Sequence, residues 1–121
     1  MAFKTAIIGC GRTANDLHAP VLEKHPDFEV TAICDVNLDA LDKYSKRFPA
    51  AKKYTDYTTM LGSDEFEFVI ILTYSYTHTA IALDFIRDGK NVLITKPWAV
   101  TTDDADSIIR AAAENKVIVM P

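Results

Sequence analysis

Clusters of basic residues are missing from this chain. Of 121 residues, 13 are Lys or Arg and 17 are Asp or Glu, a net charge of −4. Neutralising a phosphate backbone takes clustered cations, so nucleic acid is not expected as a partner. Long apolar runs are missing too. None approaches the ~20 residues of a membrane span, and the stretch after Met1-Ala2-Phe3-Lys4 is too short for a secretory leader. No membrane association is expected. Cysteine is scarce. Cys10 and Cys34 show no metal-ligand spacing, and His18 and His25 have no partner ligand, so no metal site is expected. Both cysteines fall near the C-terminal ends of predicted strands. They read as small buried thiols in a reducing cytoplasm. What remains is an ordinary globular composition, 49% hydrophobic and 25% charged. It is enough for one domain with a real core, over residues 1–121.

Only four glycines are present, and two of them are Gly9 and Gly11. They sit in Thr5-Ala6-Ile7-Ile8-Gly9-Cys10-Gly11-Arg12-Thr13-Ala14, which reads as strand, glycine turn and helix start. The pattern is G-x-G-x-x-A. Gly9 allows the tight turn. Gly11 leaves room for a pyrophosphate, and a side chain there would both fill that room and strain the turn. Ala14 lets the helix pack closely on the sheet. The N–H groups freed at the helix start, over Arg12, Thr13 and Ala14, and the helix dipole favour a bound phosphate. Arg12 reads either as a pyrophosphate contact or as a solvated charge. Asp35 follows at close to the ~20-residue spacing expected of the acid that grips an adenosine ribose. No Arg follows it to receive a 2′-phosphate, so NAD is expected over NADP.

Strands and helices alternate along the chain. Strands are predicted over 3–8, 28–34, 51–54, 66–73, 91–95 and 117–120, the third at an edge. A first helix over 12–24 would turn Ala14, Leu17, His18, Val21 and Leu22 inward, with Pro20 kinking or interrupting it. Asn37 is the predicted cap of a second helix with Leu38, Leu41, Tyr44, Ser45 and Phe48 on one face, ended by Pro49. Residues 56–61 read as a short helical turn closed by Gly62. Thr77 is the predicted cap of a helix burying Ile81, Ala82, Phe85 and Ile86, with Gly89 past its end. Thr101 and Asp104 resemble a capping box, before a helix burying Ala105, Ile108, Ile109 and Ala112 and ending at a left-handed Asn115. This alternation with short connections implies an α/β, doubly wound parallel sheet of order 3-2-1-4-5-6. Its ligand would lie over the strand ends between strands one and four. The apolar last strand, Val117-Ile118-Val119-Met120, offers an edge that favours a homo-oligomer.

Two further segments leave the predicted strand ends: Thr73-Tyr74-Ser75-Tyr76-Thr77-His78 and Thr95-Lys96-Pro97-Trp98. With Gly9-Cys10-Gly11-Arg12, Cys34-Asp35, His18-Ala19-Pro20 and Asp88-Gly89-Lys90-Asn91-Val92, they resemble the N-terminal Rossmann domain of the Gfo/Idh/MocA oxidoreductases. The resemblance covers essentially the whole chain. It implies an NAD(P)-dependent dehydrogenase acting on a sugar, polyol or related alcohol. It implies cofactor contacts from Gly9, Gly11, Arg12, Thr13, Ala14, Asp35, Thr73, His78 and Lys96. Lys96 matches the family's active-site lysine, and a cation there stabilises alkoxide character as hydride leaves. His78 reads equally as a crevice contact or as a packing histidine. Trp98, Tyr74 and Tyr76 read as shields for the cofactor or as covers for apolar surface.

The pattern departs from the family's at two positions. Thr95 stands where the family has glutamate, and Tyr74-Ser75 where it has Pro-Asn. The family's second, mostly β domain, which supplies most of its substrate pocket, is absent from this chain. A non-catalytic NAD-binding module acting as a sensor or scaffold is the alternative reading.

Overall fold

The computed structural model describes residues 2–96 and 98–121. Six parallel strands run β1 (Phe3–Ile8), β2 (Phe28–Cys34), β3 (Lys52–Tyr54), β4 (Phe68–Ile71), β5 (Asn91–Ile94) and β6 (Val119–Met120). Their order is β3-β2-β1-β4-β5-β6, so the predicted topology holds. All pairs are parallel. The middle strands are apolar on both faces because helices cover both. One core joins Ala6, Ile8, Val69, Ile71, Val92 and Ile94 to helices α3 (His78–Arg87) and α4 (Thr102–Asn115). The other joins Ile7, Ile33, Phe68 and Ile70 to α1 (Ala19–Leu22) and α2 (Leu38–Ser45). Consecutive residues of β1 thus feed opposite cores, the period-two alternation of a strand.

α3 follows its sequence pattern. Ile81, Ala82, Phe85 and Ile86 are all buried, each large side chain worth about 1.5–3 kcal/mol. Its end is a Schellman motif. The Gly89 N–H donates to Ile86 O and the Lys90 N–H to Phe85 O, with Gly89 at φ +82°. Asn37 caps α2 by accepting from the Ala40 N–H at 3.0 Å, and Thr101 caps α4 by accepting from Asp104 N–H at 3.0 Å.

Several expectations need correction. The first helix starts at Arg12 as expected but widens into a π-helical turn over Ala14–His18, where the Ala19 N–H reaches back five residues to Ala14 O. The wider turn comes just ahead of Pro20, which lacks an N–H, and shifts the helix phase by one residue. Ala14, Ala19 and Leu22 therefore face inward, while Leu17 and Val21 are exposed. In α2, Leu41 and Tyr44 are buried but Leu38 is exposed. In α4 the buried face is centred on Ile108 and Ala111 and leaves Ile109 outside. Thr77 does not cap α3. Its own backbone is helical, and its hydroxyl turns back to Thr73 Oγ1 and Tyr74 O, both at 2.6 Å. The left-handed residue after α4 is Lys116, at φ 56°, while Asn115 stays helical and donates to Ala111 O. β4 is shorter than expected, and β6 has two residues rather than four, with Ile118 and Met120 exposed. Among the described residues, no helix is long and apolar enough to cross a membrane.

Gly9 and Gly89 both have positive φ, but only Gly9 is hemmed in. A β-carbon at Gly9 would stand 2.8 Å from the Leu72 carbonyl carbon, whereas nothing lies within 4 Å at Gly89. Gly89→Ala should cost only the left-handed penalty, about 1–2 kcal/mol. Gly9→Ala should cost at least ~3 kcal/mol, because backbone must also move. Urea melts of both variants check the order, and equal losses would contradict it.

Candidate functional site

The site is built where β1, β2 and β4 end together. The Gly9 N–H donates to Cys34 O at 2.8 Å, and the Leu72 N–H donates to Ile8 O at 2.8 Å. These two bonds hold the β1 exit between its neighbours. Gly9 turns there at φ +98°, against the Leu72–Thr73 peptide. The expected tight-turn role of Gly9 is met, and the close approach to β4 adds a second reason for it.

Gly11 differs. It is exposed, its backbone lies outside the left-handed region, and no atom lies within 4 Å of where its β-carbon would stand. The expected strain on substitution is therefore absent, because the turn is made at Gly9. Nothing in the fold requires Gly11 to be glycine. Arg12 and Thr13 are exposed beside it, and Ala14 is fully buried against the sheet. The Ala14 carbonyl accepts from the Tyr44 hydroxyl at 3.3 Å, which seats the helix start on α2.

Asp35 leaves β2 next to this loop. Its Oδ2 accepts from the Cys10 N–H and its Oδ1 from the Asn37 N–H, both at 2.8 Å. Each carboxylate oxygen retains a further acceptor site. On the other side, Asn15 Nδ2 donates to Cys10 O at 3.0 Å and to Gly11 O at 2.9 Å. Asn15 was not among the expected site residues. Its signal is positional, since an Asn four residues after Gly11 lies one helical turn on, within reach of that carbonyl.

Beyond β4 the turn is tied by hydroxyls. Thr73 is half-buried and its Oγ1 meets Thr77 Oγ1. His78 is 1% exposed, and its Nε2 lies 2.8 Å from Thr73 O, an acceptor, so Nε2 carries the proton. This favours the packing role for His78. Tyr74 and Tyr76 stand above the turn with near-parallel rings, 5.9 Å apart, both exposed. At the end of β5, the Thr95 hydroxyl donates to Ile71 O at 3.2 Å, tying β5 to β4. Lys96 follows, exposed. Trp98 packs against the α3–α4 core, which favours its apolar-cover role. Pro97 lies outside the described residues. Among the described residues, no three His, Cys, Asp or Glu side chains come together as metal ligands do.

Cys10 and Cys34 are both free and buried, and the Cys10 thiol donates to Cys34 O at 3.5 Å. Burial first, then the Asp35 charge, push both thiols up to about 12. The phenol of Tyr44 is likewise raised by burial, and His18 is lowered by burial.

The sequence pattern of an oxidoreductase family with an NAD-binding Rossmann fold, GFO_IDH_MocA, matches residues 3–121. The chain belongs to this family. It is 32% identical over 119 residues to inositol 2-dehydrogenase of Salmonella typhimurium, covering 95% of this chain and 34% of that protein. It superposes with a TM-score of 0.92 on KijD10, a 3-ketoreductase from Actinomadura kijaniata solved with TDP-benzene and NADP. The identity there is 27%, over 99% of this chain and 37% of that one. GenD2 from gentamicin A biosynthesis, solved with NAD, gives a TM-score of 0.91 at 29% identity, over 98% and 34%. The chain thus spans about a third of the length of the curated relatives it matches.

The thiols give a pH test. An unfolded cysteine ionises near ~8.5, while the folded pair holds its protons to about 12. Below the lower value both states are protonated and the full contribution to stability is present. As pH rises through the window between the two values, the unfolded chain alone ionises and stability falls. Urea melts at pH 8 and 10.5 should show that loss, smaller in a Cys34→Ala variant. Iodoacetamide at pH 8 should label the native thiols at least ~100-fold more slowly than the unfolded ones. Fast native labelling would contradict the assignment.

Proposed function

We propose that this chain binds NAD across the C-terminal ends of β1, β2 and β4, as the cofactor half of an oxidoreductase acting on a sugar, polyol or related alcohol. The observation that carries the reading is the bare, open Gly11 beside Asp35. A β-carbon there would intrude into free space rather than into protein, and that space adjoins the acid expected to hold the ribose. The residues present therefore fit the dinucleotide. Gly11, Arg12 and Thr13 would receive the pyrophosphate at the helix start, with Ala14 seating that helix against the sheet. Asp35 would use its remaining acceptor sites on the ribose hydroxyls. Thr73 and the turn braced by His78 would border the nicotinamide side. When bound, NAD supplies the hydride acceptor. Lys96, exposed at the end of β5, would place a cation near the substrate oxygen and favour its loss of a proton. The two buried free thiols fit a cytoplasmic protein.

One observation favours the non-catalytic alternative. Thr95, in place of the family's glutamate, spends its hydroxyl on the Ile71 carbonyl, so Lys96 has no anion from its neighbour. Lys96 itself still favours the enzyme.

NAD is the preferred form, because a 2′-phosphate would meet the Asp35 charge and no Arg follows to receive it. Calorimetric titration should show NAD at least ~10-fold tighter than NADP, a difference of about 1.4 kcal/mol. Gly11→Val should abolish both while leaving the melting temperature nearly unchanged. Tighter binding of NADP, or wild-type NAD affinity in the valine variant, would sink the assignment.

A further inference from the structure

The backbone of Cys10 is held by side chains on either side of its α-carbon. Its N–H donates to Asp35 Oδ2 at 2.8 Å, and its carbonyl accepts from Asn15 Nδ2 at 3.0 Å. The same Asn15 amide reaches the Gly11 carbonyl at 2.9 Å, and the Asn15 backbone N–H adds a bond to that carbonyl at 3.0 Å. A loop that receives an anion must turn N–H groups toward it and carbonyl oxygens away, since those oxygens carry partial negative charge. Gly11, Arg12 and Thr13 are exposed at this helix start, where first-turn N–H groups lack intrahelical partners. The carbonyls that share peptide groups with the Gly11 and Arg12 N–H groups, those of Cys10 and Gly11, are the ones Asn15 ties down.

We propose that Asn15 is a positioning residue for the pyrophosphate. It holds the Cys10 and Gly11 carbonyls against the helix, away from the anion. With Asp35 it clamps the two peptide groups that flank Cys10, so the loop is ordered before any ligand arrives. Ordering a loop on binding costs affinity, and the clamp removes that cost. Asp35 then has two roles, as the ribose acceptor and as the anchor of the loop. The inference rests on the NAD reading for its ligand, but its claim about loop order concerns the free chain.

The experiment compares wild type, Asn15→Ala and the isosteric Asn15→Asp, which keeps the shape but cannot donate. Amide hydrogen exchange at Cys10 and at residue 15, whose N–H groups are bonded to Asp35 Oδ2 and to the Gly11 carbonyl, is read without ligand, with the β1 and β4 amides as the control for folding. NAD, ADP and adenosine are then titrated. In both variants, loop exchange should speed up about tenfold while the strand amides stay protected. NAD and ADP should weaken about tenfold in Asn15→Ala, and further in Asn15→Asp, which adds a charge beside the anion. Adenosine, which lacks phosphate, should bind unchanged. Unchanged loop exchange in both variants overturns the clamp. Equal weakening of all three ligands overturns the positioning role and makes Asn15 a general stabiliser of the helix. If wild type binds no NAD, the cofactor reading fails, and the exchange comparison alone decides the clamp.

Discussion

A β-carbon at residue 9 would stand 2.8 Å from the carbonyl carbon of Leu72 and 2.9 Å from its oxygen. That contact is the constraint on which the site depends. β1 has to end directly against the exit of β4, and only glycine permits the backbone of one to lie on the backbone of the other. The Gly9 N–H meanwhile bonds the end of β2 through Cys34 O. Three strand ends are thereby fixed around one residue. The residues proposed to hold the cofactor, in the loop after β1, at Asp35 after β2 and at Thr73 after β4, inherit their spacing from it.

The two glycines of the loop divide two tasks that a sequence motif merges. Gly9 is glycine because the fold demands it. Gly11 has ordinary backbone and open space, so the fold does not explain it, and the proposed pyrophosphate contact would. Between them the backbone of Cys10 is tied by Asp35 and Asn15, and the Cys10 thiol is buried against Cys34 O. The cysteines are packing atoms in this arrangement. Burial and the neighbouring carboxylate keep them protonated, and a protonated thiol is a poor nucleophile.

The strand order, both cores and the Asn37, Thr101 and Gly89 helix ends were legible in the sequence because each rests on local chemistry. Alternating apolar residues, side-chain oxygens before helices and glycine after them act within a few residues. The phase of the first helix was not legible. The π turn over Ala14–His18 moves Leu17 and Val21 outward, and periodicity counted at 3.6 residues per turn has no means of registering one residue of slip. The same limit applies to Ile109, at the margin of a face centred on Ile108. Thr77 has the composition of a cap, but Thr73 lies within reach and takes its hydroxyl. Within the site, Gly9, Gly11, Ala14 and Asp35 came from motif spacing. Asn15 did not, because its role depends on where two carbonyls point.

The central claim is that the ends of β1, β2 and β4 form one binding crevice. Titrating isotope-labelled chain with NAD and following backbone amide shifts tests it most directly. The account predicts the largest shifts at Cys10 to Ala14, Asp35 and Thr73, with the N-terminal ends of the strands silent. Shifts concentrated instead at the hollow between α2 and β3, lined by Leu38, Leu41, Asp42, Lys53 and Thr55, would contradict it.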